Sequence, residues 1–491
     1  MSPRKDSEDP PAEDPRSREG LWSPRHRNLT VGLVLTITLV AFEALAVSTI
    51  MPIVADELGG LELYGWVFTA FMLGSLIGIV VSGGFIDGRG LGPTFAAGIG
   101  LFAIGLVVGG FAPSMAVLVV ARFVQGLGAG AIPPIAYVAI GRRLPERLRP
   151  QMFATLSTAW VLPGVIGPAV AGFIGETFDW RAVFLGLLPL IALAAFIAFP
   201  AVRRVGAPAT MVAAEAAASA SFRRRFPLAM LVAAGTGLFL AGLTIGQPLA
   251  MVALVTVGLA FAIPALRALT PLGTLRAARG MPAAILTRGI LTFAFFGVDA
   301  YVALALVSGR GQTVTQAGIS LTAATLTWTA GSWIQARLAG RYPPERFVQA
   351  GLAVAVLGLT AFGVVLLPEL SPWLAIPTFG LAGLGMGLAY SPLTLIVLRD
   401  AAPGKQGSAS SALSLTDSLG TALGTGVTGA LVAASVRADG MVVNGLVAGF
   451  GVAIGVGLAG LVLSGRLSAA RPNPSAVDPV TVRGRVRRPL R

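Results

Sequence analysis

The chain has 491 residues, of which 55% are hydrophobic and 12% are charged, with a mean hydropathy of +0.80 and a formal net charge of +14. A soluble protein of this length would carry far more surface charge, so the composition excludes a soluble globular fold. The chain has no cysteine and one histidine, His26, so we expect no disulfide, no metal site and no Ser/His triad. Gly404-Lys405 is followed by Gln406 rather than Ser or Thr, and no other stretch fits a phosphate-binding loop. We therefore predict neither an enzyme nor an ATP-driven pump, and no cofactor.

Residues 1–28 are rich in Arg, Asp, Glu and Pro and are predicted to form a disordered cytoplasmic tail. A transmembrane helix needs about 20 mainly apolar residues. Fourteen such segments follow the tail, and we predict an all-α polytopic membrane protein. The predicted spans are 30–52, 64–86, 93–112, 115–140, 152–175, 182–203, 226–245, 248–266, 284–307, 316–337, 347–368, 371–397, 407–434 and 441–465. A basic cytoplasmic tail, 467–491, completes the chain.

Spans 7 and 8 are predicted as a hairpin inserted within the segment 204–283. No charged residue occurs between Phe226 and Leu266, a stretch too long for one span and suited to two. Gly246-Gln247-Pro248 interrupts it near the middle, as a tight turn would.

The basic residues are distributed unequally between the loops. With both termini in the cytoplasm, thirty-two of the 36 Lys and Arg residues fall on inside segments, with Arg288 counted in the loop before span 9. Three fall on outside loops (Arg181, Arg310 and Arg437), and Arg122 lies within span 4. This asymmetry predicts an N-in/C-in topology. It also explains the net charge by membrane orientation, so we expect no nucleic-acid partner.

One half of the chain matches the other at a shift of 257 residues. Gly126 and Gly130 then align with Gly383 and Gly387. Further aligned pairs are Arg142 with Arg399, Leu156-Ser157 with Leu413-Ser414, Gly167 with Gly424, and Gly172 with Gly429. Chance matching in a Gly- and Ala-rich chain is the alternative. A parallel repeat predicts two six-helix halves, 29–203 and 284–466, with a substrate site between them near the midplane.

Short motifs occupy matching places in the first half. The loop between spans 2 and 3 contains Gly83, Asp87, Arg89 and Gly90, and is similar to a G-x-x-x-D-R-x-G-R-K motif. It departs from that motif at Gly88 and at Leu91-Gly92, where basic residues are usual. Span 4 contains Arg122, Gln125, Gly126 and Gly130 on one helix face, and span 5 contains Gly167, Pro168 and Gly172, with Ala171 where a Gly is usual.

Together these motifs resemble the major facilitator superfamily, and specifically its fourteen-helix drug:proton antiporter branch. The resemblance implies two six-helix bundles with an inserted two-helix hairpin. It also implies a proton-coupled exporter of hydrophobic small molecules or drugs, a class that includes lipophilic cations. The proton gradient would supply the energy, and a monomer in the bacterial inner membrane is expected.

Ionisable residues at membrane depth are costly, so each one is a candidate functional residue. Four fall well inside the predicted spans, away from their ends: Glu43, Arg122, Asp299 and Asp417. We assign them to proton coupling, with Glu43 loading and releasing the proton beside Arg122. The alternative for Glu43 and Arg122 is a purely structural pair. Asp299 could instead be a counter-charge for a cationic substrate or reach the outer face, and Asp417 could serve packing or gating.

Polar and aromatic residues inside the spans are candidates for the wall of a substrate cavity. We select Gln125, Trp160, Tyr301 and Tyr390. Two other functions stay open from the sequence: a proton-coupled importer of a nutrient on the same fold, and a membrane sensor or scaffold that transports nothing.

Overall fold

The computed structural model of the protein describes residues 20–204, 212–402 and 406–468. In these ranges the chain forms sixteen α-helices and no strand. The helices are α1 (Arg27–Leu58), α2 (Tyr64–Arg89), α3 (Leu91–Gly110), α4 (Met115–Arg143), α5 (Arg149–Thr158), α6 (Val161–Thr177), α7 (Arg181–Arg203), α8 (Val212–Thr244), α9 (Pro248–Leu269), α10 (Met281–Asp299), α11 (Val302–Arg310), α12 (Val314–Leu338), α13 (Pro344–Val364), α14 (Ala375–Asp400), α15 (Gln406–Asp439) and α16 (Val442–Leu463). The predicted tails, 1–28 and 467–491, lie largely outside the described residues.

Every predicted span overlaps a helix, and twelve helical stretches of the described chain are long and apolar enough to cross a membrane. The fold class is therefore as predicted, whereas the count of fourteen spans and the N-in/C-in orientation stay predictions. Predicted spans 5 and 10 are the two that fall outside the twelve. Predicted span 9 corresponds to α10 and α11, which a turn at Ala300 and Tyr301 separates.

Predicted span 5 is divided into α5 and the 17-residue α6 by a turn at Ala159 and Trp160. Pro163 lies four residues beyond Ala159, where its ring would clash with the Ala159 carbonyl in a continuous helix. The sequence therefore breaks the span at the turn.

Predicted span 10 is the continuous 25-residue helix α12. It has the length to cross a membrane. Polar side chains recur along it and lower its hydropathy, namely Thr322, Thr325, Thr327, Thr329, Ser332 and Gln335. Such residues are tolerated at membrane depth where they face other helices or a water-filled cavity.

The predicted repeat appears as the same close packing in both halves of the molecule. A Cβ added to Gly126 on α4 would lie 2.1 Å from the Phe71 carbonyl oxygen on α2. A Cβ added to Gly383 on α14 would lie 2.1 Å from the Ala324 carbonyl oxygen on α12. Gly130 and Gly387 repeat the contact one turn later, on Ser75 and Trp328. Small residues here let helices approach closely, so α1–α7 and α10–α16 form two related bundles, called the first and second halves below.

The contacts between the halves lie toward one end of the molecule. We call this the far end, where α1 ends and α2 begins, and the opposite end, which contains Arg27 and Arg466, the near end. On α2 and α15, the hydroxyl oxygens of Thr69 and Thr425 are 3.3 Å apart. On α6 and α12, the Glu176 carboxylate accepts a hydrogen bond from the Thr315 amide at 3.1 Å. In this conformation the two halves therefore meet at the far end.

The hairpin α8–α9 lies against the seam between α2 and α15. A small apolar cluster joins these helices, with Leu73 on α2, Val232 on α8, Ala265 on α9 and Leu419 on α15. At the far end the Thr244 side chain accepts a hydrogen bond from the Trp66 indole at 3.3 Å. The inserted hairpin therefore covers a junction between the halves.

Candidate functional site

The first half buries a charged pair between α1 and α4. The Arg122 guanidinium donates to Oε1 of Glu43, and the two side chains are 2% and 1% exposed. Gln125, one turn beyond Arg122, donates to the same oxygen at 3.2 Å and accepts from Arg122 at 3.1 Å. Arg122, Gln125 and Gly126 share one face of α4, as their spacing predicts. The structure thus brings together three of the predicted site residues.

Backbone and aromatic contacts hold Arg122 in place. Its Nε donates to the Val67 carbonyl oxygen at 3.3 Å, and its guanidinium carbon lies 4.3 Å from the centre of the Phe71 ring. Both residues belong to α2, so Arg122 joins three helices of the first half. A guanidinium held this way has little freedom to leave the carboxylate.

The two oxygens of the Glu43 carboxyl have different surroundings. Oε1 accepts both hydrogen bonds described above, whereas buried Oε2 has no hydrogen-bond partner among the described residues. A buried carboxylate oxygen without a donor is costly, and protonation turns it into a neutral hydroxyl. Oε2 is therefore the position of this carboxyl at which a proton could be held without disturbing the two hydrogen bonds to Oε1.

The second half contains another ion pair, between α10 and α15. Nε of Arg288 donates to Oδ1 of Asp417 at 2.6 Å, and the Tyr390 hydroxyl donates to Oδ2 at 3.1 Å. A second Arg288 nitrogen donates to the Tyr390 carbonyl oxygen at 2.6 Å. The Arg288 side chain is 6% exposed, while that of Asp417 is 26% exposed. This pair, unlike Glu43 and Arg122, is open on its acidic side.

The count of basic residues on inside segments placed Arg288 in the loop before span 9. This placement is wrong, because Arg288 is buried within α10. The signal was present in the sequence, since position 288 falls inside the predicted span 284–307. A basic residue near the end of a span can lie either in the loop or within the helix, and only its interaction partner distinguishes the two. Asp417 supplies that partner from a segment far away in the chain.

Asp299 and Tyr301 lie at the break between α10 and α11. Asp299 is the last residue of α10, is partly buried, and has no ion-pair partner in the part of the chain that the structure describes. Tyr301 is fully buried; its hydroxyl donates to the Thr425 carbonyl oxygen at 2.7 Å and its ring lies 5.3 Å from that of Tyr64. In this conformation Tyr301 therefore packs in the far-end junction rather than in a cavity wall.

The other predicted cavity residues have different surroundings. Gln125 is fully buried beside Glu43, and Trp160 is 49% exposed at the turn between α5 and α6. The Tyr390 ring lies 5.4 Å from the Trp328 ring, which is 6.4 Å from the Phe296 ring. Of the four predicted residues, Tyr390 is the one that stands beside a partly exposed charged group.

The remaining motif residues serve close packing. A Cβ on Gly172 would lie 3.0 Å from the Thr315 backbone across the junction of the halves, and the Pro168 carbonyl lies against Gly318 on α12. Gly167 is looser, because a Cβ there would make ordinary contacts with Phe42. The exporter-like motif of α6 thus lies at the contact with the second half.

The loop motif between α2 and α3 turns at Gly90, whose φ of 83° favours glycine. The Arg89 guanidinium stacks on the Phe85 ring at 4.9 Å. Gly83 lies within α2, and the Asp87 side chain lies outside the described residues. Whether Arg89 replaces the usual basic residue of the motif stays a prediction.

Comparison with known proteins accounts for this architecture. The sequence profile described as Major Facilitator Superfamily matches residues 33–425. The chain therefore belongs to the Major Facilitator Superfamily, a family of membrane transporters, and is a multi-pass membrane protein.

Similar proteins include the multidrug transporter protein MdtP of Bacillus subtilis, 30% identical over 174 residues, which cover 35% of this chain and 32% of that relative. A probable multidrug-efflux transporter of Mycobacterium tuberculosis is 26% identical over 461 residues, covering 90% of this chain and 96% of the relative. The crystal structure of a POT family transporter in complex with 5-aminolevulinic acid superposes with a TM-score of 0.65 at 15% identity, covering 92% and 99% of the two chains. That structural likeness is a likeness of fold.

Proposed function

We propose that the chain is a proton-coupled exporter of hydrophobic small molecules, lipophilic cations included, and belongs to the fourteen-helix drug:proton antiporter branch. The names of the relatives from Bacillus subtilis and Mycobacterium tuberculosis favour drug efflux. The loop charges favour a cytoplasmic near end. We further propose that the protein works as a monomer in the bacterial inner membrane.

The observation that carries the proposal is the Glu43 carboxyl. It is buried and paired with Arg122 through one oxygen, and its other oxygen has no partner among the described residues. A carboxyl that only fixed packing would have both oxygens satisfied, because an unmet buried acceptor costs about 1–3 kcal/mol. A proton on Oε2 removes the buried negative charge and weakens the attraction to Arg122. The site thus has two states that differ by one proton.

The proposed cycle couples these two states to alternating access. With the halves in contact at the far end, substrate enters from the cytoplasmic near end while Glu43 is charged. A change of conformation then exposes Glu43 to the outside, where it takes up a proton. Protonation weakens the pair with Arg122, and substrate leaves outward. Return to the first conformation releases the proton to the cytoplasm.

The experiment uses inside-out membrane vesicles that contain the wild-type protein. A proton gradient, acid inside, is imposed, and the uptake of ethidium is followed by fluorescence. We expect uptake that depends on the gradient and stops when a protonophore is added. Uptake that persists after the gradient collapses would contradict proton coupling. Ethidium loss from preloaded inside-out vesicles, driven by the same gradient, would instead indicate an importer.

A further inference from the structure

The second half carries a site that the proposed coupling at Glu43 does not use. We propose that Asp417 and the aromatic wall of Phe296, Trp328 and Tyr390 bind the cationic group of a transported organic cation, and that Arg288 is a resident cation which this group must displace. This inference rests on the proposed function, because it concerns the substrate of the same transporter.

Asp417 is the accessible member of the cluster. Both of its carboxylate oxygens have partners, yet 26% of its side chain is exposed, against 1% for Glu43. Ser411 and Ser414 precede Asp417 on the same face of α15, toward the near end, and both are exposed. Polar side chains of a membrane helix face the bundle interior or water rather than lipid. The exposed side of Asp417 is thus followed by polar side chains toward the near end.

The aromatic wall has the chemistry that organic cations require. Trp328 and Tyr390 lie ring to ring at 5.4 Å, and Phe296 extends the wall beyond Trp328. Aromatic faces attract guanidinium and quaternary ammonium or phosphonium groups, more strongly where water is excluded. A carboxylate beside such a wall pairs with the positive charge of the ligand, while the rings pack against its apolar body.

Arg288 already contacts both parts of this site, the carboxylate and the aromatic wall. It forms the ion pair with Asp417, and its guanidinium carbon lies 3.0 Å from the centre of the Tyr390 ring. A second cation beside an intact pair would meet repulsion from Arg288 in a low-dielectric setting. The incoming cation must therefore replace Arg288 at Asp417.

Displacement does not leave Arg288 without a partner. Its hydrogen bond to the Tyr390 carbonyl oxygen, at 2.6 Å, does not involve Asp417. The competition between Arg288 and the ligand lowers the affinity for cations and favours release. Arg288 is thus a residue that sets specificity, because it decides how strongly a positive charge is preferred over a neutral molecule.

The site belongs to the second half alone. At the repeat shift of 257 residues, Asp417 corresponds to Trp160 and Tyr390 to Pro133. The first half therefore offers neither the carboxylate nor the phenol at the equivalent places. This asymmetry indicates that the cluster serves a ligand rather than the shared helical scaffold.

The test measures equilibrium binding of ethidium to the purified full-length protein in detergent, without a proton gradient. Arg288→Met removes the resident charge and keeps a side chain of similar length. We expect it to raise the affinity for ethidium about tenfold or more, which corresponds to about 1.4 kcal/mol. Arg288→Lys keeps the charge and should stay within about threefold of the wild type. The double variant Arg288→Met/Asp417→Asn should lose the gain.

Two results would overturn the proposal: an unchanged or weaker affinity in Arg288→Met, or a gain that persists in the double variant. If Arg288→Met fails to give a monodisperse protein, Trp328→Leu provides the second test. It keeps the ion pair and should weaken ethidium binding about tenfold, so unchanged binding would contradict the aromatic wall. If ethidium binds as expected but is not transported with the gradient, proton coupling is refuted and this site stands. If ethidium is transported with the gradient but does not bind as expected, only this site is refuted.

Discussion

Arg122 and Glu43 are stable at membrane depth only as a pair. Each charge on its own would face a desolvation cost of several kcal/mol, and the attraction between them offsets that cost through direct contact. Gln125 and the Val67 carbonyl supply the remaining hydrogen bonds. The loss of one partner should therefore harm the fold more than the loss of both.

We predict that Arg122→Gln lowers the free energy of unfolding by about 3–5 kcal/mol, because it leaves the Glu43 charge buried and unpaired. The double variant Glu43→Gln/Arg122→Gln should recover part of this loss. Thermal unfolding of the purified protein in detergent provides the measurement. Arg181→Gln is the matched control: its ion pair with Glu57 is partly exposed and should contribute less than about 1 kcal/mol. Equal losses at Arg122 and Arg181 would contradict the assigned burial.

The buried charged residues differ in how far the sequence alone predicts their partners. The pairing of Glu43 with Arg122 could be predicted because a charge in the middle of an apolar run needs a partner, whether its role is functional or structural. Arg288 stands close to the start of its span, where a basic residue can equally reach the interface. Its role depends on Asp417 and Tyr390, which come from α15 and α14, and no local pattern contains that information.

At the scale of the helix, glycine determines how closely neighbours approach. The helices α2 and α4 meet with Gly126 on the Phe71 carbonyl, and α12 and α14 meet with Gly383 on the Ala324 carbonyl. The sequence repeat predicted that these glycines are equivalent. It could not predict which helix each one faces, because a small residue packs against whatever the topology brings to it.

We predict that Gly126→Ala and Gly383→Ala each destabilise the protein by about 1–3 kcal/mol, because the added methyl group would displace a backbone carbonyl. Gly100→Ala on α3 and Gly186→Ala on α7 are matched controls, since nothing lies within 4 Å of an added Cβ. These controls should be neutral or stabilising by up to about 1 kcal/mol. Thermal unfolding of all four variants makes the comparison. Similar losses in all four would refute the packing assignment.

The break in predicted span 5 shows a second limit at this scale. Hydropathy averages over a window and does not register a turn at Ala159 and Trp160. Pro163 provides the local reason for the break, and it is visible in the sequence. Trp160 is half-exposed at this turn.

At the scale of the molecule, the proposed cycle requires the halves to separate where they now meet. The far-end junction of α2 and α15 brings the Thr69 and Thr425 hydroxyls to 3.3 Å, and Tyr301 packs beside them. The hairpin α8–α9 covers the same seam, and the Arg437 guanidinium on α15 donates to its Thr244 carbonyl at 2.8 Å. Opening at the far end must therefore break contacts that involve both halves and the hairpin.

The chain contains no cysteine, so an introduced pair forms a defined cross-link. We predict that Thr69→Cys/Thr425→Cys forms a disulfide under mild oxidation, because the replaced hydroxyl oxygens are 3.3 Å apart. A small adjustment of the two side chains then brings the sulfurs to their bonded spacing of about 2 Å. The cross-link should hold the far end closed and stop ethidium transport in vesicles, and a reductant should restore it. The two single variants are the controls. Full transport by the cross-linked protein would contradict opening at this junction.

The measurement that tests proton-coupled export most directly follows protons and substrate in the same vesicles. The purified wild type and the Glu43→Gln variant are reconstituted into liposomes with a pH-sensitive dye inside and an acidic interior. Ethidium is then added outside. Where the binding side faces outward, we predict that ethidium entry is accompanied by proton exit in the wild type. Glu43→Gln, folded and present in equal amount, should show neither. Proton exit coupled to ethidium entry in Glu43→Gln would contradict the role assigned to Glu43, and ethidium entry without proton exit in the wild type would contradict antiport itself.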